Sequence, residues 1–206
     1  LGNCWIKMEG NLNARTKKFG LIKVPISCAA QLVPNQVTFK STLDKKQSVK
    51  MTHKFSSNKH LSVIDQTYVG KDNIYKKIGI KSTDLSLTFM YWDLLKELKS
   101  ESLGLTRHAC RVFRLQNPDD EKEIVRVWVS KKYLAPVKVE WRFGHINGKA
   151  DQSLEFKKFA ETNKVWTPTE IFIKNKKGKI QVKFDKSKTK AAFSKYIPED
   201  LYDTEK

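Results

Sequence analysis

Residues able to do chemistry are few in this 206-residue chain, and they stand far apart. Three cysteines and four histidines supply all the thiols and imidazoles. His53 falls among Val49, Met51 and Phe55 and reads as a hydrogen-bonded core or rim histidine rather than a ligand. None of the four pairs with a carboxylate at metal-site spacing. No G-x-S-x-G elbow, H-E-x-x-H pair, Walker loop or dinucleotide glycine loop occurs. The loop Asn117-Pro118-Asp119-Asp120 reads as a solvated turn, because no EF-hand spacing surrounds it. No catalytic residue, metal or cofactor is therefore assigned, and a binding protein is expected. A small hydrolase would need two carboxylates facing each other in a concavity.

The cysteines carry the sharpest chemical expectation. Folding the chain about Thr16 opposes Cys4 to Cys28, Ile6 to Ile26, Met8 to Val24 and Gly10 to Ile22, with both apolar sets on one side. Directly opposed residues of an antiparallel pair have Cα atoms about 4.5 Å apart at non-hydrogen-bonded positions, within disulfide range. A Cys4–Cys28 bridge would then form in an oxidising compartment, leaving Cys110 as a small buried hydrophobe. The other reading is three reduced core cysteines.

These residues need strands to hold them. Val137, Val139, Trp141 and Phe143 alternate with Lys138, Glu140 and Arg142, the period of a half-buried strand. The pattern recurs over 4–12, 20–28, 37–42, 49–55, 110–115, 123–130, 136–144, 154–156, 169–173 and 180–184. Turn signals sit at Asn147-Gly148 and between Asn175 and Gly178, the latter opposing Ile171 to Val182 and Ile173 to Ile180. Gly10 within an apolar face signals a bend or close approach. The 82–98 segment breaks the alternation. Leu85, Phe89, Trp92 and Leu95 recur at three- and four-residue spacing behind Ser82, Thr83 and Asp84, which predicts a helix from Thr83 to Leu98. The expected fold is mainly β (α+β), a curved antiparallel sheet forming a half-open barrel, with one or more helices on its concave face and residues 1–206 as one domain.

Charge is the largest bulk asymmetry, with 40 Lys+Arg against 22 Asp+Glu for a formal net charge of +18. The lysines spread along the chain, which suits a solvated outer face that resists edge pairing. Attraction to a membrane surface or an acidic partner is the second reading. Nucleic acid is not expected, because no aromatic-plus-basic sheet signature or finger spacing appears. No stretch approaches the roughly 18 apolar residues of a membrane span. The chain starts at Leu1 without a basic n-region and apolar h-region, and Leu1-Gly2-Asn3-Cys4 is only a loose lipoprotein box, with Asn3 where a small residue belongs.

Asp84 to Trp92, His108 to Leu115, Val127 to Ser130 with Leu134 to Glu140, Val165 to Thr169 and Tyr196 to Tyr202 together resemble the LolA-like outer-membrane lipoprotein-sorting proteins. The resemblance spans about Ile6 to Tyr202. It implies a monomeric, non-enzymatic periplasmic carrier that shields the acyl chains of lipoproteins or other lipids for sorting to the outer membrane, with an envelope transporter or an outer-membrane acceptor as a further partner. A scaffold or protein-binding module on the same fold is the alternative. The family has a helix before its first strand, and none precedes Trp5, so part of a lid is expected outside this sequence. Face assignment gives the candidate ligand-binding set Ile6, Met8, Ile22, Val24, Ile26, Phe39, Met51, Phe89, Trp92, Trp141 and Phe143.

Overall fold

The computed structural model describes residues 3–56, 59–68, 73–81, 84–104, 108–145 and 148–203. Strands β1 (Cys4–Thr16), β2 (Gly20–Val33), β3 (Gln36–Leu43), β4 (Gln47–Ser56) and β5 (Lys59–Tyr68) form one antiparallel meander. Strands β6 (Asp93–Leu103), β7 (His108–Asn117), β8 (Asp120–Ser130), β9 (Pro136–Phe143), β10 (Gln152–Thr162), β11 (Val165–Lys174) and β12 (Gly178–Phe184) form a second. Because β12 returns to β1, the order across the sheet is β5-β4-β3-β2-β1-β12-β11-β10-β9-β8-β7-β6, and β13 (Lys190–Phe193) also pairs with β1. The half-open, mainly antiparallel architecture expected from the alternation is the one observed.

The two outermost strands, β5 and β6, follow one another in sequence yet share no ladder. The chain between them must pass from one edge of the sheet to the other. Residues 73–81 and 84–92 of that connection lie in the concavity, where Ile74, Tyr75, Ile78, Leu85 and Phe89 join the main apolar core. The sheet is thus covered by its own connection.

Gly10 marks the place where β1 changes partner, from β13 along Cys4–Lys7 to β12 along Gly10–Thr16. A Cβ there would sit 2.0 Å from the Lys183 carbonyl oxygen, so only glycine allows β12 this close.

Two expectations are corrected. In the β1–β2 hairpin Cys4 opposes Leu32 and Cys28 opposes Met8, because the turn is Lys17–Phe19, closed by Thr16 Oγ1 accepting from Phe19 N at 2.9 Å and by Gly20 at φ 66°. A shift of even parity keeps every side chain on its face while changing its opposite number. The two cysteines are four residues out of register, roughly 13 Å along the strand, beyond bridging distance. All three cysteines are buried, reduced thiols. The β11–β12 register is as expected, with Ile171 opposite Val182 and Ile173 opposite Ile180.

The helix expected from Thr83 to Leu98 is also replaced. Asp84–Ser86 and Thr88–Tyr91 are separate 3-10 turns, broken by Leu87 at φ 56°, and Trp92 is extended into β6. The proposed cap residues Ser82 and Thr83, like Asn147, lie outside the described residues. The α-helix that does pack in the concavity is α1 (Ile74–Ile78), with Asn73 as N-cap accepting from Lys76 N and Gly79 as a left-handed C-cap.

On the convex face the basic side chains meet carboxylates: Lys138 and Arg142 with Glu140 at 2.7 and 2.8 Å, and Lys158 with Glu170 at 3.1 Å. A smaller apolar cluster of Cys110, Val112, Trp128 and Val137 lies apart from the main core.

Candidate functional site

The lid formed by residues 73–81 and 84–92 is held from below by apolar packing. Phe89 meets Trp141 of β9 edge-on at 5.5 Å, and Tyr91 stacks on His53 of β4 at 4.3 Å. From β3 and β4, Ser41 Oγ hydrogen-bonds the Tyr75 hydroxyl at 3.2 Å, and Gln47 Oε1 accepts from Ile74 N at 2.8 Å. From the β11–β12 turn, Asn175 donates to the Ile78 and Gly79 carbonyls at 3.2 and 2.8 Å. Asn175 therefore caps the end of α1.

A polar tie holds the middle of the lid, between α1 and the first 3-10 turn. Asp84 Oδ2 accepts from Lys81 N and from Gln152 Nε2 of β10, both at 2.8 Å. Glu123 of β8, 2% exposed, accepts from Asn117 at 2.9 Å and pairs with Lys81 Nζ at 2.7 Å. Burial raises the Asp84 carboxyl to about 6, and the Glu123 charge adds to this against the pull of Gln152 and Lys81. Two buried carboxylates do share the concavity, the arrangement a hydrolase would need. Each is engaged by groups that join lid to sheet, so both brace the lid.

Between the unpaired sheet edges is a cavity of about 420 Å³, reached by Ile64 of β5 and Asp93 of β6. Tyr91, Trp92 and Trp141 give it aromatic walls, while Lys81, Asp84 and Glu123 line its polar end. Exposed Met90, Leu94 and Leu95 belong to the turn and strand beside it, and exposed Val63 and Ile64 to the facing edge. Among the described residues no group of His, Cys, Asp and Glu is arranged to hold a metal ion.

Of the candidate set, Met8, Ile26, Phe39, Met51, Phe89 and Trp141 are buried in the main core, and Ile6, Ile22, Val24 and Trp92 pack against it half-buried. The structure brings these ten together. Phe143 stands apart, 44% exposed at the end of β9 beneath Lys81 Nζ, 5.4 Å from its ring centre. Sequence reading missed the Asp84–Gln152 and Lys81–Glu123 ties. A signal was present: Glu123 has the inward parity of Val125 and Val127, and Gln152 that of Leu154 and Phe156, so each is a polar residue on the dry face.

No protein-family model matches the chain, and no curated protein matches it. Solved structures do. A domain named for outer membrane lipoprotein sorting, from Vibrio parahaemolyticus, superposes with a TM-score of 0.68 at 14% identity, over 98% of this chain and 89% of that one. A DUF1329 family protein from Desulfovibrio piger gives a TM-score of 0.68 at 8% identity, over 96% and 89%. A LolA superfamily protein from Nitrosomonas europaea gives 0.60 at 12% identity, over 97% and 90%.

Proposed function

We propose that this chain, whose fold is LolA-like, is a non-enzymatic carrier that takes acyl chains of lipoproteins or other lipids into the space beneath its lid, working as a monomer in the bacterial envelope. One observation carries the reading: the apolar concave face is covered by a connecting segment of short turns, tied at α1 and at Lys81 and Asp84, instead of by a second layer of long helices. Such a cover can be exchanged for a ligand of similar apolar area. Burying the five lid side chains Ile74, Tyr75, Ile78, Leu85 and Phe89 is worth about 2 kcal/mol each, or roughly 10 kcal/mol together, and an acyl chain recovers about 0.8 kcal/mol per methylene. A chain of about a dozen methylenes therefore matches the lid it displaces. The apolar seam between β5 and β6 serves as the portal, and Ile6, Met8, Ile22, Val24, Ile26, Phe39, Met51, Phe89, Trp92 and Trp141 as the lining. No reacting group is needed for this task, which accords with carboxylates used as struts.

Displacement of a fluorescent fatty acid tests it. Wild type is expected to bind saturably and Val24→Asp, a charge at a half-buried wall position, to weaken binding at least tenfold. Absence of saturable binding by wild type, or binding indifferent to Val24→Asp, would overturn the carrier reading.

A further inference from the structure

At one end of the barrel three segments are cross-tied into a single platform. The β1–β2 turn reaches the β11–β12 turn through Lys17 N donating to the Lys177 carbonyl at 3.1 Å. The β11–β12 turn reaches α1 through Lys177 Nζ donating to the Lys76 carbonyl at 2.7 Å, its aliphatic stem lying where a Cβ of residue 79 would be. The groove they enclose, about 610 Å³, is lined by six lysines: Lys17, Lys18, Lys76, Lys77, Lys176 and Lys177. Their surroundings differ from those of the paired lysines on the convex strands. Lys17, Lys18, Lys76 and Lys177 have no carboxylate partner among the described residues, and Lys176 is matched by Asp151 at 2.8 Å.

The platform also carries apolar surface. Phe19, 45% exposed, is the last residue of the β1–β2 turn, and Leu21, 55% exposed, lies two residues on, at the start of β2. Lys18 and Lys77 hold their ammonium groups 5.4 and 5.7 Å from the Phe19 ring centre. An exposed ring at a rigid turn with ammonium groups around it matches a phospholipid interface, where the ring enters the acyl boundary and lysines meet headgroup phosphates. An acidic protein or a nucleic acid would use the charge and leave the apolar tip without a role.

We propose that this lysine-ringed hairpin tip is a docking surface for an anionic phospholipid bilayer. Docking orients the barrel with α1, the first part of the lid, against the membrane. It goes beyond the carrier reading and stands without it, because none of these residues lines the concave core.

Vesicle co-sedimentation tests it, with phosphatidylcholine vesicles alone or containing about a third phosphatidylglycerol, at low and physiological salt. Wild type is expected to partition onto the anionic vesicles and hardly at all onto neutral ones. At about fivefold per lysine, Lys17→Gln with Lys18→Gln lowers partition about 25-fold, and Phe19→Ser lowers it about tenfold. The pair Lys157→Gln and Lys158→Gln, on β10, is the control for bulk charge and is expected to change partition less than threefold. Each of four results overturns the proposal: equal binding to both vesicle types, an equal loss in the β10 control, no loss with Phe19→Ser, or tighter binding of a duplex oligonucleotide than of anionic vesicles. Because fatty-acid displacement is read separately, a failed carrier and a failed docking surface give different results.

Discussion

Replacing Asp84 with asparagine tests whether the lid is packed and tied as described. Asp84 is 5% exposed, and burial raises its carboxyl from 3.8 to about 6. An acid with a raised folded-state pKa binds its proton more tightly in the native protein than in the unfolded chain. Native protein therefore holds more protons between pH 3.8 and about 6, and stability falls as pH rises through that window, levelling off above it. A displacement of about two pH units corresponds to about 3 kcal/mol, of which about 2.5 kcal/mol is lost between pH 4 and pH 8. Asp84→Asn carries no titrating group at the same shape. Both hydrogen bonds go to Oδ2, so an amide oxygen in that place keeps Lys81 N and Gln152 as donors. Urea unfolding of both proteins at half-unit steps from pH 4 to pH 8 reads the difference. The variant's stability relative to wild type is expected to rise by about 2.5 kcal/mol across the series, with its midpoint below pH 6. Reading the change with pH, instead of the offset at one pH, cancels any constant effect of the amide. A flat difference, or wild type gaining on the variant as pH rises, would refute the burial of this carboxylate and with it the polar tie of the lid.

Gly10→Ala forces a Cβ to within 2.0 Å of a backbone carbonyl on β12, and is expected to destabilise by at least about 2 kcal/mol in the same urea assay; an alanine variant as stable as wild type would contradict the close approach of β12. For the cysteines, a thiol count under denaturing, non-reducing conditions is expected to give three, with slow reaction in the native state because all three are buried and burial pushes the Cys28 thiol up to about 12; a Cys4–Cys28 crosslinked peptide would contradict the observed register.

What the sequence revealed, and what it hid, follows from the kind of information each pattern holds. Alternation reports parity, so the strands around Val139, Trp141, Ile171 and Val182 and the open antiparallel sheet were legible. Register depends on turn chemistry as well. Asn175, whose side chain accepts from the Lys177 and Gly178 backbone amides, signals the β11–β12 turn, and that pairing was read correctly. The β1–β2 turn is built by Thr16 and Gly20 around two lysines and a phenylalanine, a weaker signal, and the pairing was placed two residues off on each strand. Leu85, Phe89 and Trp92 mimic a helix because a segment enclosed by a curved apolar sheet buries side chains at irregular intervals. Edge strands β5 and β6 went unseen for the opposite reason: Val63, Ile64, Leu94 and Leu95 are exposed, and a strand wet on both faces has no alternation to read. Eight of the eleven candidate residues were gathered into or against the core by strand parity, since even shifts of register leave the face unchanged, and Phe89 and Trp92 reached it although the helix that suggested them does not form.

On the carrier reading, the covalent path from β5 to β6 through the concavity makes the cover a tethered competitor of the ligand. A free peptide of the same sequence would diffuse away once displaced, but this one stays at an effective concentration on the order of millimolar for as long as the chain is intact. The affinity measured for any apolar ligand is then its intrinsic affinity multiplied by the fraction of molecules whose cover is lifted. Changes at Asp84, Gln152 or Asn175, none of them in the apolar lining, would retune that fraction, so affinity can evolve at the fastenings while the lining stays unaltered. For such a carrier, release would obey the same arithmetic in reverse, because the returning cover would refill the space a departing chain vacates and no water need enter it.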